Sequence, residues 1–351
     1  MTRKSKYAIG DKTIGTGSPV FVIAEAGVNH NGSLETAKRL IEVAVDAGAD
    51  AVKFQMFKAE QLVIATAPKA QYQLATTDSE SQLEMLRRLE LTPAGHRQLQ
   101  DYSRQLGIIF LSTPFDENSV DLLDELGVPA FKISSGDLTN SPLIGHAARK
   151  GKPLILSTGM ANLEEVAAAV STARNEGCDE LVLLHCVSNY PTAASDVNLR
   201  AMQTMEQTFE LPVGYSDHTE GIEISLAAVA LGACIIEKHF TLNQKLPGPD
   251  HRASLEPEAL KQMVAAIRRI ESALGDGQKR PAVSENEVAR VARRSLTAAA
   301  DIPAGVIISR ELISLRRPGS GLNPAHLDRL IGRKTRVAIP AGSLLTLEMF
   351  E

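Results

Sequence analysis

Eight short apolar runs, each closing on a polar or charged cluster and nearly every one followed by a helical pattern, set the strongest limit on what this chain can fold into. The runs end on AEAGVNHNG, KFQ, STPF, KISSG, STGM, HCVSNYP, YSDH and EKHF. A continuous apolar run such as PVFVIAEAG is expected of a parallel strand covered on both faces. Eight strand–helix units are the count of a (β/α)8, or TIM, barrel, an α/β fold whose C-terminal strand ends form the functional rim. Those ends carry Glu25, Lys53, Gln55, Thr113, Lys132, Ser135, Ser157, Ser216, His218, Lys238 and His239. A purely structural barrel has no reason to collect charge there, so the pattern points to an enzyme.

The intervening segments agree. LETAKRLIEVAVDAG places Leu34, Ala37, Leu40, Ile41 and Ala44 on one helical face, with Gly48 as a stop. After the second strand a long excursion runs from Lys58 to about Thr92, and excursions of that length are usually functional. PEALKQMVAAIRRIESALG closes the barrel, which occupies residues 1–275. GDGQKRPAVSENEVAR is polar with both charge signs and is expected to be a linker over residues 276–290. Residues 291–351 carry short β-like runs, and ADIPAGVIIS and VAIPAGSLLT repeat the phrase IPAG, which suggests a small pseudo-duplicated β module. A module of about sixty residues is marginal alone.

Composition excludes several classes. A chain of 351 residues with 44% hydrophobic residues has room for a large core, and a net charge of −5 favours neither nucleic acid nor membrane. Cys178, Cys186 and Cys234 lack metal-type spacing, and their odd number argues against a disulfide framework. The N-terminal MTRKSKYAIGDKTIG lacks the apolar stretch of a signal peptide, and no run is long enough to span a bilayer, so the cytoplasm is expected.

Three constellations carry chemistry. His218 and His239 end consecutive strands, about 4.8 Å apart. The pair can share one divalent cation and leave its other positions open, or serve separately as a helix cap and a loop hydrogen bond. Lys53, Lys132 and Lys238, with Ser135, Ser157 and Ser216, suit the phosphate or carboxylate of a substrate. The same lysines could instead form a Schiff base or pair with Glu25, Asp217 and Glu237. Glu25 is a candidate general acid or base, or else the partner of Lys53. His30 and His251 are weaker candidates, His185 suits a satisfied core position, and Arg317 by itself suits a solvated surface.

IAEAGVNHNGS, AVKFQ, LSTPFD, GYSDHT, IEKHFTL, PGPDH followed by ASLEP, and RRPGSG together resemble the bacterial sialic acid synthase family over essentially the whole chain. The resemblance implies a TIM barrel followed by a C-terminal antifreeze-like (SAF) domain. It implies condensation of phosphoenolpyruvate with an N-acetylated aldose, either N-acetylmannosamine or a 2,4-diacetamido-6-deoxy analogue, to a nonulosonic acid and phosphate. It also implies a divalent metal, Mn2+ with Mg2+ or Co2+ as alternatives, and a domain-swapped homodimer. By the same resemblance His218 and His239 are metal ligands and Glu25 is the acid/base. Lys53, Thr113, Lys132, Ser135, Ser157 and Ser216 meet phosphoenolpyruvate, and Gln55, Phe115, Tyr190 and Asp250 surround the acceptor. Arg317 is delivered to the partner subunit's site. The same resemblance makes Asp137 and Ser188 substrate-binding positions, although Asp137 stands where the family commonly has Glu, Ser188 where some relatives have Asn, and Met56–Phe57 where N-acetylneuraminate synthases have Thr-His. KFQ with its second Phe, and SQLEMLRRLEL, also suit N,N′-diacetyllegionaminate synthases; a pseudaminate synthase, a pyruvate-dependent aldolase and a non-catalytic carbohydrate- or ice-binding protein are the alternatives.

Overall fold

The structure, a computed structural model, describes residues 6–15, 17–70, 73–74, 77 and 81–351. The first five residues of the N-terminal segment, and parts of the Lys58–Thr92 excursion between 71 and 80, lie outside the described residues. The chain divides into two compact units, Met1–Gly275 and Asp276–Glu351.

The first unit opens with an antiparallel hairpin, β1 (Lys6–Ile9) and β2 (Lys12–Gly15). Eight parallel strands follow: β3 (Phe21–Gly27), β4 (Ala51–Met56), β5 (Ile109–Pro114), β6 (Phe131–Ile133), β7 (Leu154–Ser157), β8 (Leu181–Cys186), β9 (Val213–Asp217) and β10 (Ile235–His239). They lie side by side in chain order, and β10 pairs back onto β3. β5 and β6 are neighbours that complete the ring, without a paired ladder between them among the described residues. The expected barrel is therefore present, and its rim falls where the polar clusters were expected.

Helices α1 (Leu34–Asp46), α2 (Ala59–Leu62), α3 (Gln82–Leu89), α4 (Pro93–Leu106), α5 (Glu117–Leu126), α6 (Ser141–Ala148), α7 (Leu163–Asn175), α8 (Ala201–Phe209), α9 (Glu223–Ala230) and α10 (Pro257–Leu274) complete this unit. In α1 the side chains of Ala37, Leu40, Ile41 and Ala44 are buried, and the Ser33 hydroxyl accepts the Thr36 N–H. The excursion after β4 is more ordered than its reading as a long loop: it contains α2 and α3. α3 starts at a capping box in which Ser81 and Glu84 satisfy each other's backbone N–H.

The hairpin explains which end of the barrel is free. Tyr7, Ile9 and Ile14 pack with Phe21, Ile23, Leu111, Ile155 and Val182 from the first halves of the strands. This apolar plug fills the N-terminal end of the barrel. Polar side chains are left to the C-terminal end, where β3, β4, β9 and β10 finish.

In the second unit, α11 (Asn286–Ala292) begins in the stretch expected to be linker and runs two residues past its end. β11 (Ser295–Ala298) pairs antiparallel with β12 (Ile313–Arg316), and α12 (Leu327–Leu330) follows. The repeated IPAG phrases meet: Ile302 and Ile339 exchange both backbone hydrogen bonds at 2.8 Å. Both side chains enter a core with Leu296, Ile308, Ile313, Leu330, Leu345 and Phe350. Among the described residues no helix is long and apolar enough to cross a membrane.

Candidate active site

Strand alternation decides which rim residues face inward. On β10, Glu237 and His239 point into the barrel and Lys238 points out; on β9, Ser216 lies inward and Asp217 outward, the two strands being in register at Lys238↔Asp217. The inward set lines a cavity of ≈ 360 Å³ at the C-terminal rim. Glu25, Lys53, Gln55, Thr113, Phe115, Lys132, Ser135, Ser157, Ser188, Tyr190, Ser216, His218, His239 and Asp250 all line it. A cavity of this size is ordinary for a small-molecule site.

Its floor is a buried chain of alternating charge. Lys53 Nζ lies 2.7 Å from Glu25 Oε2 and 3.6 Å from Glu237 Oε2, and donates to Thr113 Oγ1 at 2.9 Å. Lys132 Nζ is 3.5 Å from Glu237 Oε1, which also accepts the Ser216 hydroxyl at 2.9 Å. Two acids thus share two lysines, yet their environments push them apart. Burial raises Glu25 to about 7 against the pull of Lys53. Burial acts on Glu237 in the same sense, but Lys132, Lys53 and the Ser216 hydroxyl outweigh it and hold that carboxyl at about 2. Burial lowers Lys132. Lys53 is raised, because Glu237 and Glu25 outweigh the effect of burial.

The two imidazoles stand side by side, ring centroids 5.5 Å apart, with Tyr190 4.1 Å from His218. His218 Nδ1 is 2.8 Å from the Val187 carbonyl. A carbonyl can only accept, so Nδ1 carries a proton, and in the neutral ring Nε2 would keep its lone pair. Burial lowers the imidazole, but the neighbouring Cys186 and the Val187 carbonyl outweigh it and raise the ring. His239 is 8% exposed, and burial, with His218 beside it, holds it well below the usual imidazole range. Its Nδ1 is buried without a hydrogen-bond partner, 4.0 Å from Asp250 Oδ2. Burial also lifts Asp250 to about 6. An orphaned, neutral imidazole nitrogen beside a second imidazole and a carboxylate fits a divalent cation. Among the described residues no three His, Cys, Asp or Glu side chains converge as a closed ligand set.

Local backbone makes room for this arrangement. Gly27 has φ +53°, at a register shift between β3 and β4, and a Cβ there would lie 3.2 Å from the His239 ring and 3.3 Å from Glu25 Oε1. Gly159 donates its N–H to Ser135 Oγ at 3.0 Å, and a Cβ would sit 2.3 Å from Ser188 Oγ.

Two expectations are corrected. Lys238 does not face the cavity: it is buried on the outer side of β10, 2.9 Å from Asp217 Oδ2, and donates to the Thr219 carbonyl at 2.6 Å. Asp137 does not line the cavity; its carboxylate accepts from Ser134 Oγ at 2.6 Å and Asn140 Nδ2 at 3.2 Å, so it is spent on its own turn. Arg317 lies exposed in the second unit, joined to Pro318 by a cis peptide bond. His185 has the satisfied core position, 2.6 Å from the Val197 carbonyl. Sequence reasoning named Glu237 only as an alternative partner for the rim lysines, which is how it pairs with Lys53 and Lys132, and did not count it among the site residues, although its position two residues before His239 puts both on one strand face. It also missed Cys186 and the apolar lining from α3, whose Met85, Leu86 and Leu89 lie within the excursion read as a loop.

A (β/α)8 barrel with two buried lysines, two differently poised carboxylates and a pair of imidazoles at its rim is an enzyme for a small anionic substrate. Residues 40–279 match the NeuB family and residues 293–351 match the SAF domain. The chain belongs to the NeuB family, that of the sialic acid and legionaminic acid synthases. It is 49% identical over 347 residues to the N,N′-diacetyllegionaminic acid synthase of Legionella pneumophila, covering 97% of this chain and 98% of that one. It is 50% identical over 315 residues to the protein of the same name from Campylobacter jejuni, covering 89% and 94%. The solved N-acetylneuraminic acid synthetase of Leptospira borgpetersenii superposes with a TM-score of 0.72 at 40% identity, covering 81% of this chain and 94% of that one.

Proposed function

We propose that the protein condenses phosphoenolpyruvate with an N-acetylated aldose and water, releasing a nonulosonic acid of the sialic or legionaminic type and inorganic phosphate. The observation that carries this reading is the cavity floor. Lys53 and Lys132, buried and flanked by Thr113, Ser157 and Ser216, suit the carboxylate and phosphate of the donor. The two relatives at about half identity favour the diacetylated acceptor and N,N′-diacetyllegionaminate as product.

The chemistry follows from the residues in reach. The alkene carbon C3 of the donor attacks the aldehyde carbon, and the aldehyde oxygen takes a proton. Glu25, protonated below about pH 7, supplies it. Water adds at C2 and gives a proton back to the ionised Glu25, and the tetrahedral intermediate collapses to the ketone, expelling phosphate by C–O cleavage. Lys53 and Lys132 hold the anionic groups through both steps. Gln55, Phe115, Ser188, Tyr190 and Asp250 surround the acceptor, and Ser135 completes the donor side. His218 and His239 would hold a divalent cation, Mn2+ by family likeness, with Mg2+ or Co2+ in reserve. When bound, such a cation acts as a Lewis acid on the aldehyde. The unit of function is a domain-swapped homodimer in which Arg317 reaches the partner's cavity. Three free, buried cysteines support a reducing compartment, the cytoplasm.

Burial that lowers Lys132 also suits a Schiff-base aldolase. Phosphate release separates the two. The synthase releases inorganic phosphate from phosphoenolpyruvate only with an aldose present, and stops when chelator strips the metal. Pyruvate turnover, with borohydride trapping of a lysine, would replace this reading by the aldolase.

A further inference from the structure

Asn29 and Asn31, in the turn after β3, and His251, in the loop between β10 and α10, stand outside the cavity lining, and the reaction as derived uses none of them. All three are nevertheless joined by hydrogen bonds to the stretch from which Asp250 enters the cavity.

The first tie is buried. Asn29 is 1% exposed, and its Nδ2 donates to the Phe240 carbonyl at 2.8 Å and to Ser254 Oγ at 2.9 Å. Ser254 Oγ donates onward to the Asp250 carbonyl at 2.6 Å. Phe240 directly follows His239, so one carboxamide spans two segments whose side chains face each other, Asp250 Oδ2 lying 4.0 Å from His239 Nδ1. The Leu255 N–H donates to the His239 carbonyl at 2.8 Å and lays the return of the loop along β10.

The second tie crosses from Asn31. Its Nδ2 donates to the Pro247 carbonyl at 2.9 Å, which turns Oδ1 toward His251 Nε2 at 3.2 Å. Burial holds the His251 ring at about 4, so it is neutral near pH 7. An amide oxygen can only accept, so Nε2 carries the one ring proton and Nδ1 accepts the Thr241 hydroxyl at 2.6 Å. Gly248 lets the turn close: a Cβ there would lie 2.7 Å from His251 Cδ2 and 2.9 Å from Asn31 Oδ1. These bonds hold the backbone of Asp250 and the residues on either side of it, and they leave its carboxylate to the cavity.

We propose that Asn29 and Asn31, acting through Ser254 and His251, are positioning residues for the reaction: they set the Asp250 carboxylate beside His239 on the acceptor side of the cavity. The inference rests on the reading that Asp250 stands next to the acceptor aldose. A carboxylate on a long loop would otherwise have to be ordered when substrate binds, and ordering costs affinity. A small displacement of a group that orients a reactant is expensive even when its cause lies outside the site.

The test follows phosphate release by the full-length protein with phosphoenolpyruvate and the 2,4-diacetamido-6-deoxy aldose. Asn31 is exposed and has φ +50°, so Asn31→Gly cuts the second tie without emptying the core or straining the backbone. It should raise KM for the aldose by about tenfold and leave KM for phosphoenolpyruvate where it was. Ser254→Ala, which cuts the first tie, should show the same split. Asp250→Ala should raise KM for the aldose by itself, and adding Asn31→Gly to it should change nothing more, because both act through one carboxylate. Native KM for the aldose in both Asn31→Gly and Ser254→Ala overturns the inference. So does a rise shared equally by phosphoenolpyruvate, or one that persists undiminished in the Asp250→Ala background. Native kinetics in Asp250→Ala would overturn the placing of Asp250 beside the acceptor, and the inference with it. No phosphate release by the native protein with this aldose or with N-acetylmannosamine overturns the synthase reading itself.

Discussion

Glu25 and Glu237 show how position, rather than residue type, sets a role. Both are buried acids beside Lys53, but only Glu237 is also paired with Lys132 and bonded by Ser216. The carboxyl with fewer counter-charges keeps its proton to about pH 7, and the better-paired one stays ionised. This division of two carboxylates by environment is a familiar way to obtain an acid and a fixed charge in one site. The sign follows for activity. Glu25 has its pKa raised, so its proton-donating form is complete at low pH and is lost as pH rises through about 7. Glu25→Gln should slow phosphate release by about 10²–10⁴ and erase the high-pH fall in kcat/KM. A variant that keeps both the native rate and the native profile would leave Glu25 a structural partner of Lys53 only.

At the scale of elements, β9 and β10 carry the site on one face and a buried ion pair on the other. Asp217 Oδ2 accepts from Lys238 Nζ at 2.9 Å and Ser225 Oγ at 2.6 Å, while Oδ1 accepts the Thr219 N–H at 2.9 Å. The pair sits at matched register positions, one residue from Ser216 on β9 and from His218 just past its end, and one residue from Glu237 and His239 on β10. It clamps the two strands so that their inward side chains stand level. Removing one partner of a buried pair leaves an uncompensated charge, at a cost of about 3–5 kcal/mol. Lys238→Met should therefore lower unfolding stability in urea by that order, and adding Asp217→Asn should return part of it. A Lys238→Met protein as stable as the native one would show that this clamp carries no load.

At the scale of the whole molecule the question is why a barrel with its own cavity is followed by a β module. The module has its own core around Leu296, Ile302, Ile339 and Phe350, closed by the paired IPAG turns. It also carries the exposed Arg317. A guanidinium offers a fork of donors suited to an amide carbonyl or hydroxyls. In the proposed two-fold assembly each module completes the other subunit's site. Mixing inactive Glu25→Gln with inactive Arg317→Ala after subunit exchange should then restore one working centre in each heterodimer. Exchange demonstrated without any recovery of phosphate release would place Arg317 in its own subunit's site or outside catalysis.

The barrel was legible in the sequence because its signals are local. Eight apolar runs, their polar ends and the helical stripes between them each sit within a few consecutive residues. The rim residues were legible for the same reason, since the fold puts strand ends in one place whatever the details. What the sequence left open was direction and partnership. EKH and SDH do not announce that Lys238 and Asp217 turn outward to each other while Glu237 turns inward to Lys53 and Lys132; that depends on strand parity and on register between β9 and β10. The N-terminal hairpin was missed because four-residue strands have little periodicity, and only the apolar floor of the barrel gives Tyr7, Ile9 and Ile14 a reason to be buried. The α3 wall was missed because its helical face has meaning only once the helix is laid across the cavity mouth. Local pattern determined the architecture and the list of reactive groups. Tertiary packing decided which groups meet, which are neutral and which side of the cavity is dry, because each of these depends on neighbours distant in the chain.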